Sequence, residues 1–188
     1  MQTVFNTLFN TPLRNVFLVL MFIEFGMTAS VQAETKLDRW YQIGYDYSQM
    51  QRNDDAFEWM MRAADGGHSG AQNNIGLSYL HGLGVKQDEK QAFEWFEKSA
   101  KQGLPYAQSE LAMLHYEGKG TEKDIQLAQN WWLTAAKQQD EYAQYNLASL
   151  MLEKDDIKSA YYWFNLATKN NHPDAKTALD LLNEKYVE

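Results

Sequence analysis

The sequence predicts an all-α fold, a solenoid of about four helix-pair repeats closed by a C-terminal capping helix. Three observations predict it. A pattern of Ala, two residues and Trp recurs in a common register, and the segments between its copies carry small and apolar residues at helical spacing. The composition suits a packed chain, with 45% hydrophobic and 14% aromatic residues.

Residues 1–33 read as a targeting segment. Arg14 is the only charge ahead of an apolar run from Val16 to Ile23. That run is short of the roughly 20 apolar residues a membrane span needs, and it suits the centre of a secretory signal. Val31-Gln32-Ala33 places small residues where a signal peptidase reads. Cleavage is therefore expected after Ala33, with export to the periplasm and a mature chain of 34–188. An uncleaved signal anchor is the rival reading. No stable membrane insertion is expected once the signal is removed.

The repeats follow, at about 36–70, 71–106, 107–142 and 143–174. The first carries Ala56, Trp59, Ala63-Ala64, Gly67 and a closing Ala71. The second has Ala92, Trp95, Ser99-Ala100, Gly103 and Ala107; the third Ala128, Trp131, Ala135-Ala136, Gln139 and Ala143; the fourth Ala160, Trp163, Ala167, Asn171 and Ala175. The leading and closing alanines keep one separation throughout. Each copy reads as the second helix of a pair. First helices are marked by Ile43-Gly44-x-x-Tyr47, Ile75-Gly76-x-x-Tyr79, Leu111-Ala112-x-x-His115 and Leu147-Ala148-x-x-Met151. Small residues allow close helix crossings, and the four tryptophans are expected in the core between repeats. Asp88, Asp124 and Asp156 each precede a second helix and are expected to cap it, with Gln91 completing a capping box. Gly67, Gly103, Gln139 and Asn171 sit where left-handed residues end helices. A last helix, 175–186, keeps Ala178, Leu179 and Leu182 but puts Asp180 at the small-residue position, as a solvent-facing cap should.

These motifs, Ile75-Gly76-x-x-Tyr79, Gly82-x-Gly84-Val85-x-x-Asp88 and Ala92-x-x-Trp95-x-x-x-Ser99-Ala100-x-x-Gly103, resemble the Sel-one-like repeat (SLR) family of the tetratricopeptide-like superfamily. The match covers nearly all of the mature chain. The resemblance implies a right-handed superhelix with a concave groove, and an adaptor role in protein complexes. Exported bacterial members resemble envelope scaffolds, host-interaction factors and immunity proteins. By superfamily analogy the groove is lined by Tyr41, Tyr45, Asn73, Leu77, Ser109, Met113, Tyr116, Tyr145 and Ser149 of the first helices.

Little catalytic chemistry is visible. The chain has no cysteine, which excludes disulfides and thiolate sites. His68, His81, His115 and His172 form no metal-binding pair, so no metal or cofactor is expected. Neither Gly82-x-Gly84 nor Gly118-x-Gly120 has the sequel of a phosphate loop. A net charge of −8 disfavours nucleic acid. The expectation is a non-enzymatic, periplasmic protein-binding module: a scaffold, adaptor or regulator of an envelope complex such as a secretion system. An immunity protein that neutralises a secreted toxin is the alternative, and a hydrolase-like enzyme the third reading. The sequence identifies neither the partner nor the oligomeric state.

Overall fold

The computed structural model describes residues 36–186; the expected export signal and its cleavage point lie outside the described residues. The chain divides into Met1–Arg39, of which 36–39 are described and helical, and Trp40–Glu188. The second unit opens with helical residues 40–49 (α1). It continues through α2 (Asn53–Asp65), α3 (Ser69–His81), α4 (Glu89–Lys101), α5 (Pro105–Glu117), α6 (Ile125–Lys137), α7 (Glu141–Glu153), α8 (Ile157–Lys169) and α9 (Ala175–Tyr186). The described residues include no strand. Each helix from α3 to α9 packs on the one before it, and the first helices α5 and α7 also touch directly. The architecture is the expected all-α solenoid, closed by a single C-terminal helix.

Within each pair the crossing is set by one small residue against one large one. Gly44, Gly76, Ala112 and Ala148 hold equivalent places in the first helices. A Cβ on Gly44 would come within 2.8 Å of Met60, and one on Gly76 within 2.9 Å of the Phe96 ring. Met60, Phe96, Trp132 and Phe164 are all buried. The large core side chain is thus the residue after each patterned tryptophan. This corrects the sequence expectation: Trp95 is buried, but Trp59, Trp131 and Trp163 are only half-buried. Helical geometry explains the shift, because the Ala-x-x-Trp side of the helix turns toward the neighbouring repeat, while the next residue points at the partner helix. Trp131 packs against two buried clusters. Arg62 lies 4.4 Å from the Trp59 ring centre and Lys98 lies 3.5 Å from that of Trp95, so cations cover these faces.

The helix ends follow local chemistry. Asp88 accepts from the amides of Lys90 and Gln91, Asp124 from Leu127 and Asp156 from Ser159, as expected. The capping box does not form. The Gln91 side chain donates to Glu94 instead, and the Asp88 amide is taken by the Tyr79 carbonyl. Second helices end alike, with Gly67, Gly103, Gln139 and Asn171 all at positive φ. Gln139 therefore adopts the glycine conformation without being glycine. The amide three residues past the helix then reaches back to an earlier carbonyl, as from His68 to Ala63, Asp140 to Ala135 and His172 to Ala167.

A buried amide ladder stitches the repeats together. Gln72, Gln108 and Gln144 each donate to a carbonyl ending the preceding second helix, those of Ala64, Ala100 and Ala136. Each also accepts from the next repeat: from Gln102 at 2.6 Å, Gln138 at 2.8 Å and Asn170 at 2.9 Å. Three helices are tied by one side chain, and every polar atom of that side chain is used. At the C-terminus Asp180 is exposed and ion-paired with Lys176, as a terminal cap requires.

Candidate functional site

The candidate site is the face of the first helices that neither their own second helix nor the next repeat covers. The sequence-selected residues divide into two rows along it. Tyr41, Asn73, Ser109 and Tyr145 occupy one equivalent position, and it is not free surface. Tyr41 stacks on His68 at 4.5 Å and Tyr145 on His172 at 4.2 Å. Asn73 and Ser109 are buried, and Ser109 lies within hydrogen-bonding reach of Asp140. His68 and Asp140 cap the first helix of the following repeat, accepting from Ala71 and Ala143, and His172 accepts from Asp174 just ahead of α9. Tyr41, Ser109 and Tyr145 thus tie one repeat to the next and Asn73 is buried, which removes all four from the expected groove lining. The reason is rotational: their position is one step around the helix from the open face.

The other row remains open. Tyr45 and Leu77 line a cleft of about 260 Å³ together with Met60, Asn74 and Leu83. Met113, Tyr116 and Ser149 line a second, of about 90 Å³, with Trp132, Asn146 and Glu153. The two clefts occupy equivalent places two repeats apart. The Tyr116 hydroxyl donates to Glu153 at 2.6 Å, and this bond raises its pKa. Ser149 is turned back to the Tyr145 carbonyl. Buried Trp132 walls the second cleft, and its indole N–H has no hydrogen-bond acceptor.

Tyr106, Glu110, Tyr142 and Asn146, which are not among the sequence-selected residues, lie on the same face. Tyr106 and Tyr142 are 37% and 42% exposed and meet edge to face with ring centres 6.2 Å apart. Glu110 follows Tyr106 by one helical turn, as Asn146 follows Tyr142. Burial raises the Glu110 carboxyl above its ordinary pKa; the Tyr106 hydroxyl offsets this in part, and the charges of Asp140 and Glu117 add to the rise. Tyr106 is raised in turn, by burial and by Glu110. The signal for these residues was the recurrence of Tyr at one repeat position, legible once the open face is known.

Of the histidines, His115 stands on the Tyr79 position and makes the same edge contact. It lies 5.2 Å from Phe93, as Tyr79 lies 5.5 Å from Phe57, and burial lowers its pKa. Among the described residues no cluster of three or more His, Asp or Glu is arranged to hold a metal, and no helix is long and apolar enough to cross a membrane. What the face offers is aromatic, amide and carboxylate contacts, suited to recognition.

Solved structures share this fold. A Sel1 repeat protein from Oxalobacter formigenes superposes with a TM-score of 0.70 at 30% identity, over 76% of this chain and 62% of that one. A protective antigen present in uropathogenic Escherichia coli strains, displaying an SLR fold, gives 0.73 at 28% identity, over 82% of this chain and 36% of that one. The chain thus spans less than two thirds of either protein. None of the curated proteins matches it. Such repeats generally mediate protein–protein interaction. The Sel1 repeat pattern matches residues 39–68, 69–104, 105–140 and 141–172, and the chain belongs to the Sel1 repeat family.

Proposed function

We propose that the chain is an exported, periplasmic protein-binding module that acts as a scaffold, adaptor or regulator of an envelope complex such as a secretion system. One observation carries the reading. The small and aromatic repeat positions are consumed by stacking, and an open face with two equivalent clefts and exposed tyrosines remains on the first helices. Such a surface provides rigid aromatic anchors without an assembled set of reacting groups. The segment before Ala33 supports export, and the mature chain is expected to start at Glu34. The acidity of the chain favours a second reading, an immunity protein that plugs a basic active site of a secreted toxin.

The test is in-cell crosslinking of the tagged full-length chain in its own host, followed by identification of the captured protein and N-terminal sequencing of the mature form. A discrete envelope partner that is lost in a Tyr45→Ala, Met113→Ala variant of unchanged helicity supports the scaffold reading. Capture of a toxin whose activity the chain abolishes replaces it with the immunity reading. Capture unaffected by the variant removes the face from the function, and an unprocessed, cytoplasmic chain refutes export.

A further inference from the structure

The open face is not uniform in charge or in aromatic content. At its first position the sequence along the stack is Gly70 on α3, Tyr106 on α5, Tyr142 on α7 and Asp174 ahead of α9. The two tyrosines are therefore neighbours, and they lie edge to face with substantial exposure. One turn further along α5 is Glu110. It is half-buried, and its surroundings supply no counter-ion: the groups that act on it are Tyr106, Asp140 and Glu117. Asp140 feels Glu141 and His172, again with neither lysine nor arginine, and burial lowers the pKa of His172, which favours its neutral form. Lys119, just past the end of α5, is bound to Glu117. A carboxylate partly withdrawn from water without a cation favours a positively charged ligand. Tyrosine ring faces beside it attract the same kind of charge, through their quadrupole.

We infer that the face formed by Tyr106 and Glu110 of α5 with Tyr142 and Asn146 of α7 binds a lysine- or arginine-bearing segment of a partner protein. The cation sits on an exposed tyrosine ring face of this pair, beside the Glu110 carboxylate. Asn146, with a donor and an acceptor, serves the backbone of the same segment. Charge complementarity selects this occupant. An acidic segment is repelled by Glu110, Asp140 and Glu141 together, and a purely apolar one leaves Glu110 without a counter-ion. The inference rests on the protein-binding reading and gives that surface a chemical preference.

The geometry separates a binding role from a structural one. Because Glu110 is a partly buried charge without a cation, Glu110→Gln should leave the full-length chain as stable as before, or more stable, at neutral pH. The same change should weaken the basic ligand. The experiment measures fluorescence anisotropy of three labelled nonapeptides, alternating Lys-Ala, Gln-Ala and Glu-Ala, against the full-length protein at low salt. The Lys-Ala peptide is expected to bind at least about ten-fold more tightly than the Gln-Ala peptide, and the Glu-Ala peptide not at all. Glu110→Gln, and separately Tyr106→Leu with Tyr142→Leu, should each weaken it about five-fold or more. A control pair on the second helices, Glu58→Gln with Glu94→Gln, should alter binding less than two-fold. Equal loss in the control pair, or no loss in Glu110→Gln, overturns the inference by assigning the attraction to net charge alone. A chain that captures its partner in cells yet does not discriminate among these peptides keeps the protein-binding reading and loses this one.

Discussion

The amide ladder makes a quantitative prediction about how the repeats are coupled. Gln108 is 4% exposed, donates to the Ala100 carbonyl at 3.2 Å and accepts from Gln138 at 2.8 Å. Gln108→Ala removes both bonds, at about 1 kcal/mol each. It also empties the space of the buried side chain, at a further cost of about 1 kcal/mol or more. The Ala100 carbonyl keeps its second donor, the Gly103 amide, so the penalty for an orphaned acceptor is avoided. The total comes to about 3 kcal/mol. Gln138→Ala on the exposed side should cost about 1 kcal/mol, mostly the bond to Gln108. That bond is shared, so the double variant should be about 1 kcal/mol more stable than the sum of the single losses predicts. Urea unfolding of the four proteins, followed by the helical circular-dichroism signal, measures the cycle. Equal denaturant slopes are required for the comparison, because repeat arrays can lose cooperativity. Losses that add to within about 0.3 kcal/mol would refute the ladder as a coupling device.

Three further outcomes are expected. Gly67 and Gly84 both have positive φ, but a Cβ on Gly67 meets nothing within 4 Å whereas one on Gly84 would lie 2.1 Å from the Asn53 carbonyl oxygen; Gly67→Ala should cost about 1–2 kcal/mol in thermal unfolding and Gly84→Ala at least twice that. His172 accepts the Asp174 amide through Nδ1 and is held below its ordinary pKa of 6.5 by burial, so its contribution to stability is complete above that pH and is lost as pH falls from there toward the lowered folded value. His172→Asn keeps a capping acceptor, and its denaturation midpoint should fall less than that of the wild type between about pH 6.5 and 5. Asp180→Leu would join Leu181, which is 61% exposed, into an apolar strip on the terminal helix, and sedimentation should then show concentration-dependent self-association.

The recurrent Ala-x-x-Trp pattern made the helix-pair architecture legible, because stacking demands the same residue classes at the same place in every repeat. The aspartate caps before α4, α6 and α8 were legible for a local reason: their acceptor and donors lie within three residues of one another. Rotation about each helix was less legible. The deep core position is Phe96 and Trp132 rather than the tryptophans of the pattern, and Tyr41 and Tyr145 point at the next repeat rather than into a groove. A pattern of period identifies which residues are equivalent, but one helical step decides what they face, and that step is fixed by the partner helix. The amide ladder was overlooked for a different reason. Gln72, Gln108 and Gln144 each follow a closing alanine, a regularity as clear as the tryptophans, but polar residues on helices are ordinarily read as surface.

Trp132 shows how the repeats themselves serve as an internal control. Phe96 and Phe164 fill the same place in their repeats and are as deeply buried, so the fold accepts a phenyl ring there. Ala148 faces Phe164 as Ala112 faces Trp132, which makes the comparison close. The indole therefore contributes extra apolar area and one N–H that no acceptor satisfies. Trp132→Phe loses some of that area, at a cost of about 1 kcal/mol, and relieves an unpaired donor of similar magnitude. Unfolding stability should change by less than about 1 kcal/mol, where an average large-to-small core change costs about 2–5 kcal/mol. A loss in the upper range would mean that the indole N–H is satisfied in solution, by water entering the second cleft or by movement of Glu153, and that the cleft is larger than its 90 Å³. Stability near that of the wild type would leave the tryptophan without a packing rationale, and would place the reason for an indole in this one repeat on the open side of the cleft, where Tyr116, Asn146 and Glu153 converge.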